Sequence, residues 1–189
     1  MSVPGRLVVV SGPSGAGKTT ICKKLLNLGG FERVVTCTTR PPRGTEQNGV
    51  DYHFLHREDF ERDRDKGRFL EDAEVHGNYY GTPREQVEDG IQKGTTLLLN
   101  IDVQGAQQLR EAQISHLTSV FIEPPSLGTL EERLAARNTD SPDEIERRLE
   151  QAREELKERI HYDHIVVNAD LKDAVSEVLQ ALNQPPKSS

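Results

Sequence analysis

Gly12-Pro13-Ser14-Gly15-Ala16-Gly17-Lys18-Thr19 fits the spacing G-x-x-x-x-G-K-[ST], whose chemistry is the grip of a polyphosphate. Its glycines let the backbone curl until successive N–H groups converge on phosphate oxygens, and a helix opening at Lys18 adds the partial positive charge of its N-terminus. Lys18 can reach the outer phosphates, and the Thr19 hydroxyl suits Mg²⁺. The spacing predicts a triphosphate site over Gly12, Pro13, Ser14, Gly15, Ala16, Gly17, Lys18, Thr19 and Thr20. A glycine-rich turn that binds nothing has no need of Lys and Thr in register. ATPases, GTPases and kinases all use such a loop, so the acceptor must be sought elsewhere.

Arg40-Pro41-Pro42-Arg43 sets two guanidinium forks three residues apart on a proline-stiffened segment. Each fork can chelate a phosphate bidentately, which lysine does not do. Alone, the segment reads more often as a solvated turn, and its neighbours decide the matter. Arg133 and Arg137 lie four apart, on one face of a helix, and Arg148 follows on the next helix. They can meet phosphate, or pair with the many nearby glutamates. His53 with His56, and His161 with His164, have no third ligand at a metal-site spacing, and Cys22 and Cys37 form no CxxC. Both cysteines read as small reduced core residues.

The elements that would position these groups follow from periodicity. Residues 6–10 read as a strand, 18–28 as a helix, 34–39 as a second strand and 95–101 as a buried one, with 117–122 and 164–167 repeating the pattern. Helices are expected over 106–112, 127–137, 143–160 and 171–182. The helix after Ser141-Pro142-Asp143-Glu144 carries a capping box and proline at its first position. Its Ile145, Leu149, Ala152, Leu156 and Ile160 share a face. Strand and helix in alternation predict an α/β fold, a three-layer core with a mainly parallel sheet. Between about residues 38 and 94 the pattern changes: the turn Asn48-Gly49, short strands at 51–55 and 68–75 and a polar helix at 58–66 suggest a small mixed insert.

The chain has 189 residues, 34% of them hydrophobic, enough for one generous domain. Its apolar runs are far shorter than the ~20 residues a membrane span needs, and no signal segment opens it; a cytoplasmic protein is expected. The formal net charge of −7 repels nucleic acid and anionic lipid. An anionic ligand must therefore meet a local cluster of cations.

Six segments together resemble the guanylate kinase family: residues 11–20 (SGPSGAGKTT), 38–43 (TTRPPR), 48–54 (NGVDYHF), 77–81 (GNYYG), 101–105 (IDVQG) and 162–168 (YDHIVVN). The likeness runs over nearly the whole chain. It implies transfer of the γ-phosphoryl group of ATP to GMP, with Mg²⁺. It also implies a core (1–37, 95–125, 161–184), a GMP-binding insert (38–94) and a helical lid (about 126–160); the last five residues, 185–189, read from their composition as a disordered tail.

Matched position by position, Arg40, Arg43, Tyr52 and Tyr80 would hold the GMP phosphate, while Thr36, Glu71, Thr82 and Asp102 would surround the guanine. Guanine's N1–H and 2-amino group suit a carboxylate such as Glu71, and its O6 suits a hydroxyl such as Thr82. Lys18 with Arg40, Arg43, Arg133, Arg137 and Arg148 would supply the positive charge of catalysis. No residue is assigned to the ribose 2′-hydroxyl, so GMP and dGMP are both admitted. Oligomeric state is not legible.

Three positions depart from the family pattern. Asn100 stands where Asp or Glu is usual two residues before the aspartate, which predicts weaker or altered Mg²⁺ dependence. Thr36 replaces the commoner serine, and Asn138 the usual glycine, both with little expected effect. Two other readings compete: a non-catalytic module of this family that binds a protein, and a phosphate-loop kinase for another phosphorylated acceptor.

Overall fold

Leu7, Val8, Val9 and Val10 have no polar neighbours to alternate with, the mark of a strand covered on both faces. In the computed structural model of the chain all four are at most 1% exposed. The structure describes residues 5–75, 77–136 and 141–183. Its elements are β1 (Arg6–Ser11), α1 (Lys18–Leu28), β2 (Glu32–Arg33), β3 (Cys37–Thr38), β4 (His53–Phe54), α2 (Arg57–Asp65), β5 (Phe69–Val75) and β6 (Asn78–Pro83). There follow α3 (Arg84–Gln92), β7 (Thr96–Asn100), α4 (Val103–Glu111), β8 (Leu117–Glu123), α5 (Leu127–Ala135), α6 (Pro142–Lys157), β9 (His164–Val167) and α7 (Leu171–Leu182), with a 3₁₀ turn at Glu158–His161.

One sheet has five strands in the order β2-β7-β1-β8-β9, and β2–β7 and β8–β9 pair in parallel. This is the α/β architecture expected from the alternation. A second sheet has four strands in the order β4-β3-β6-β5. The described residues group into two compact units, one within 5–7, 31–99 and 104–117, the other within 8–30, 100–103 and 118–183.

In the first unit, β5 and β6 are antiparallel, with Glu71 opposite Thr82 and Ala73 opposite Tyr80, and β6 also pairs antiparallel with β3, Tyr80 opposite Thr38. A register shift between Phe69 and Glu71 breaks the two-residue alternation of β5. Phe69 thereby joins Cys37 and Phe60 in an apolar cluster, while Glu71 lies beside Thr82. Gly81 lets that cluster close: a Cβ there would sit 3.0 Å from both Phe60 and Phe69.

Two glutamine amides brace this unit. Gln86 on α3 accepts from the Val35 N–H at 3.1 Å and donates to the Arg33 carbonyl at 3.2 Å. Gln108 on α4 does the same to Asp72, accepting at 3.1 Å and donating at 2.6 Å.

In the second unit, α1 packs on α7 and α7 on β9. Helices α5 and α6 close on each other through Leu130, Leu134, Leu149 and Ala152, each buried leucine contributing about 1.5–3 kcal/mol. Ser141 caps α6 by accepting from the Glu144 N–H at 3.3 Å, with Pro142 opening the helix as expected. Ser126 and Asp170 cap α5 and α7.

Several expectations change. Residues 34–39 do not form one strand, because the chain is changing sheets there. Val34 N–H still bonds the Leu98 carbonyl of β7, Val35 turns to Gln86, and the Thr36 carbonyl accepts from His53. The helix expected to 160 ends at Lys157, and the 3₁₀ turn leaves Ile160 75% exposed instead of on the apolar face. Helix α3 and strand β6 were not expected as elements. Arg137, Asn138 and the tail at 185–189 lie outside the described residues. Among the described residues, no helix is long and apolar enough to cross a membrane.

Candidate active site

The phosphate loop joins β1 to α1 in the second unit. Gly12, Gly15 and Gly17 all have positive φ, at 133°, 89° and 98°. Two of them also admit no side chain: a Cβ on Gly12 would lie 2.1 Å from the Ile122 carbonyl oxygen, and one on Gly17 2.2 Å from Asn168 Nδ2. Gly17 caps α1 without any side-chain hydrogen bond, so no side chain competes for the amides that a phosphate would take.

The loop is braced from behind. Asn168 Nδ2 donates to the Ala16 carbonyl at 2.7 Å, and Arg133 donates to the Asn168 carbonyl at 2.8 Å and to the Ala16 carbonyl at 3.5 Å. The structure thus places Arg133, expected on nucleotide phosphates, against the loop's own backbone. Lys18 Nζ bonds the carbonyls of Gly12 at 2.5 Å and Pro13 at 2.9 Å. Arg148 is half-buried on α6.

Thr19 and Asn100 meet at the loop's edge, both exposed, with Asn100 Nδ2 donating to Thr19 Oγ1 at 3.3 Å. Among the described residues, no three His, Cys, Asp or Glu side chains gather as a metal cage. This pair of hard oxygen donors suits an ion that takes most of its ligands from phosphates and water, the habit of Mg²⁺.

Sequence reading missed Glu155, which is 9% exposed on α6 and accepts from Gln151 Nε2 at 2.7 Å. Burial pushes its carboxyl above the ordinary range, and the charge of Asp102 pushes the same way. Gln151, Lys18 and the Ser14 N–H, which donates to it, pull it back. Asp102, expected at the guanine, is therefore an electrostatic neighbour of this carboxylate in the phosphate-loop unit. The available signal was a charge three residues beyond Ala152, within the apolar stripe of α6.

In the first unit, one face of the four-stranded sheet gathers the remaining expected residues. Thr36 is 7% exposed, Thr82 0% and Glu71 4%, and Thr82 Oγ1 donates to Glu71 Oε1 at 2.5 Å. Tyr80, two residues before Thr82 on β6, shares that face. The Tyr80 ring meets Tyr52 edge-on at 6.1 Å. Burial holds the Tyr52 phenol above its ordinary pKa, with Tyr80 adding to the effect.

The Arg40 guanidinium lies 4.9 Å over the Tyr52 ring and is 6% exposed, while Arg43 is exposed. Glu46, not singled out from the sequence, bonds both: its side chain pairs with Arg40 at 2.7 Å and accepts the Arg43 N–H at 2.8 Å. Its hydrogen bond from Arg40, with that from the Arg43 N–H, lowers its carboxyl from 4.5 to about 2. Cys37 is buried, which with the charge of Asp63 pushes its thiol up to about 12; it is an inert core residue.

Comparison with known proteins places this geometry. A family profile described as guanylate kinase matches residues 4–185. The guanylate kinase of Symbiobacterium thermophilum is 49% identical over 175 residues, 92% of this chain and 82% of that one. The guanylate kinase of Chelativorans sp. is 50% identical over the same length, 92% and 80% of the two chains. The crystal structure of guanylate kinase from Anaplasma phagocytophilum superimposes with a TM-score of 0.79 at 36% identity, covering 97% of this chain and 87% of that one. With its glycine loop, its buried carboxylate–hydroxyl pair and this likeness over nearly its whole length, the chain belongs to the guanylate kinase family.

Proposed function

We propose that the chain transfers the γ-phosphoryl group of ATP to GMP, giving ADP and GDP. The observation that carries this reading is on one sheet face: a guanidinium that can chelate phosphate, and a buried carboxylate–hydroxyl pair that can read a base edge. The same chain carries a triphosphate loop.

In this reading Gly12 to Thr20 cradle ATP, with Lys18 leaving its loop carbonyls for the outer phosphates. Arg40, Arg43, Tyr52 and Tyr80 hold the GMP phosphate. Glu71 accepts from guanine N1–H and the 2-amino group, Thr82 turns its single hydroxyl proton from Glu71 to O6, and Thr36 and Asp102 complete the base site. Adenine offers an acceptor at N1 and no 2-amino group, so it would set a lone pair against a buried carboxylate.

The acceptor is a phosphate oxygen whose second pKa is about 6, largely ionised at neutral pH, so no protein base is required. The task left is to bring two polyanions into line and neutralise their charge. Lys18, Arg40, Arg43, Arg148 and Arg137 supply that charge, and Arg133 supports it through the loop backbone. Mg²⁺, held by Thr19 with the nucleotide phosphates, adds charge neutralisation when bound. The division into a core, a GMP insert at 38–94 and a lid at about 126–160, and a cytoplasmic place of action, belong to the same reading. Closure of insert and lid would exclude water and favour transfer over hydrolysis.

A panel of acceptors tests it: ADP formation from ATP with GMP, dGMP, AMP and ribose phosphates. Turnover with guanine nucleotides is expected. Turnover with ribose phosphates alone would instead indicate a different kinase, and none with any acceptor a binding module.

A further inference from the structure

Glu46 has no part in the chemistry above, yet it makes the closest contacts of the arginine clamp. Its Oε2 accepts from Arg40 Nη1 at 2.7 Å and its Oε1 from Nη2 at 2.8 Å, while the Pro41 carbonyl accepts from Nη1 at 2.9 Å. The backbone N–H of Arg43 donates to the same Oε2 at 2.8 Å. A guanidinium has five N–H donors in a fixed plane. These bonds use the end-on pair and the outer Nη1 hydrogen. The two donors not so used, Nε–H and the second Nη2 hydrogen, form the side-on fork, on which the Tyr80 and Tyr52 hydroxyls are hydrogen-bond partners that a phosphate would join or replace. Arg40 itself is 6% exposed over the Tyr52 ring, with Phe54 5.8 Å away and the Tyr80 hydroxyl as a further hydrogen-bond partner.

We infer that Glu46 is the positioning residue of the acceptor site, fixing Arg40 end-on so that its side-on fork is presented to the phosphate of the bound nucleotide. The inference rests on the reading of this face as the GMP site. A long flexible arginine held at two nitrogens, and stacked on an aromatic ring, keeps its remaining donors aimed before any ligand arrives, so less order is lost on binding. The Arg43 N–H bond ties the second arginine's backbone to the same carboxylate. The opposite role is that of a stand-in anion which the incoming phosphate must displace. The two roles predict opposite signs when the carboxylate is removed.

Glu46→Gln and Glu46→Asp separate them, with KM for GMP, KM for ATP and kcat measured alongside GMP affinity by calorimetry. Loss of a charge-assisted pair predicts a rise of about 10- to 100-fold in KM and Kd for GMP in Glu46→Gln, with KM for ATP within about twofold and partial rescue in Glu46→Asp. An unchanged or lower KM for GMP overturns the inference. If the variants do not fold, the Glu46 carboxyl is titrated by carbon NMR in the intact protein with and without saturating GMP. A midpoint in the complex no higher than in the free protein supports positioning, and one that rises to the ordinary carboxylate range on GMP binding overturns it. The parent's own saturable turnover with GMP is measured first: its absence refutes the GMP reading, whereas its presence with a failed Glu46 test refutes only the role of Glu46.

Discussion

Replacing Glu71 by glutamine should strip the acceptor site of its preference for guanine while sparing ATP. Glu71 is 4% exposed and receives the Thr82 hydroxyl at 2.5 Å, so water cannot substitute for a lost partner there. A carboxylate can accept from both N1–H and the 2-amino group of guanine; the glutamine amide offers one acceptor and sets its own NH₂ against a donor. One charge-assisted bond is lost, at about 1.5–3 kcal/mol, and an unpaired donor adds to the cost. The total of about 2.5–6 kcal/mol corresponds to a drop of about 70- to 25,000-fold in kcat/KM for GMP. The same NH₂ can donate to adenine N1, so the ratio of GMP to AMP efficiency should fall further than the GMP value alone. Coupled ADP formation with each acceptor, and KM for ATP, give the numbers. A folded variant whose GMP efficiency stays within threefold of the parent would refute the assignment of Glu71 to the base edge.

Gly17→Ala would force a Cβ to 2.2 Å from Asn168 Nδ2 at a φ of 98°, breaking the Asn168–Ala16 brace. A loss of more than about 2 kcal/mol in urea unfolding, with weakened ATP binding, is expected; parent-like values would contradict the bracing. Asn100→Asp would turn the Thr19 contact into one with an acceptor carboxylate. Half-saturation should fall to lower Mg²⁺ both in turnover and in Mn²⁺ binding to the ADP complex by spin resonance, and superimposable curves would discard the role of Asn100. Glu155 has a folded-state pKa above its unfolded value, so the parent holds its proton more tightly when folded and loses stability as pH rises beyond the unfolded pKa. Glu155→Gln should therefore gain stability relative to the parent between pH 4.5 and 7, measured by thermal melts across that range; a constant difference would refute the burial of a charge at this position.

The parts of the molecule legible in the sequence were those written locally. The glycine spacing, the apolar run before it and the capping box at Ser141 each carry their signal within a few residues, and β1 and α1 begin where they were expected and α6 one residue earlier than its expected range, at the proline. Other elements were hidden because a tertiary demand overrides propensity. Helix α3 contains Gly90, which reads as a breaker until Leu97 is seen where a Cβ would lie 2.7 Å away. The stretch at 34–36 has strand composition but passes its backbone bonds from one sheet to another. Within the candidate site, the triphosphate residues Gly12 to Thr20 were legible from their spacing, while the roles of those that would touch the acceptor came from the family likeness. Those that hold them did not: Gln86, Gln108 and Asn168 act through partners far along the chain, and Glu46 and Glu155, though bonded to Arg40, Arg43 and Gln151 within six residues, are picked out from the many other acidic residues only by the fold.

The most direct test of the account is the fate of the γ-phosphorus atom itself. With labelled ATP, GMP and Mg²⁺, the account predicts label in the β-position of GDP, with little in inorganic phosphate. Label released only as inorganic phosphate, or retained in ATP, would contradict it.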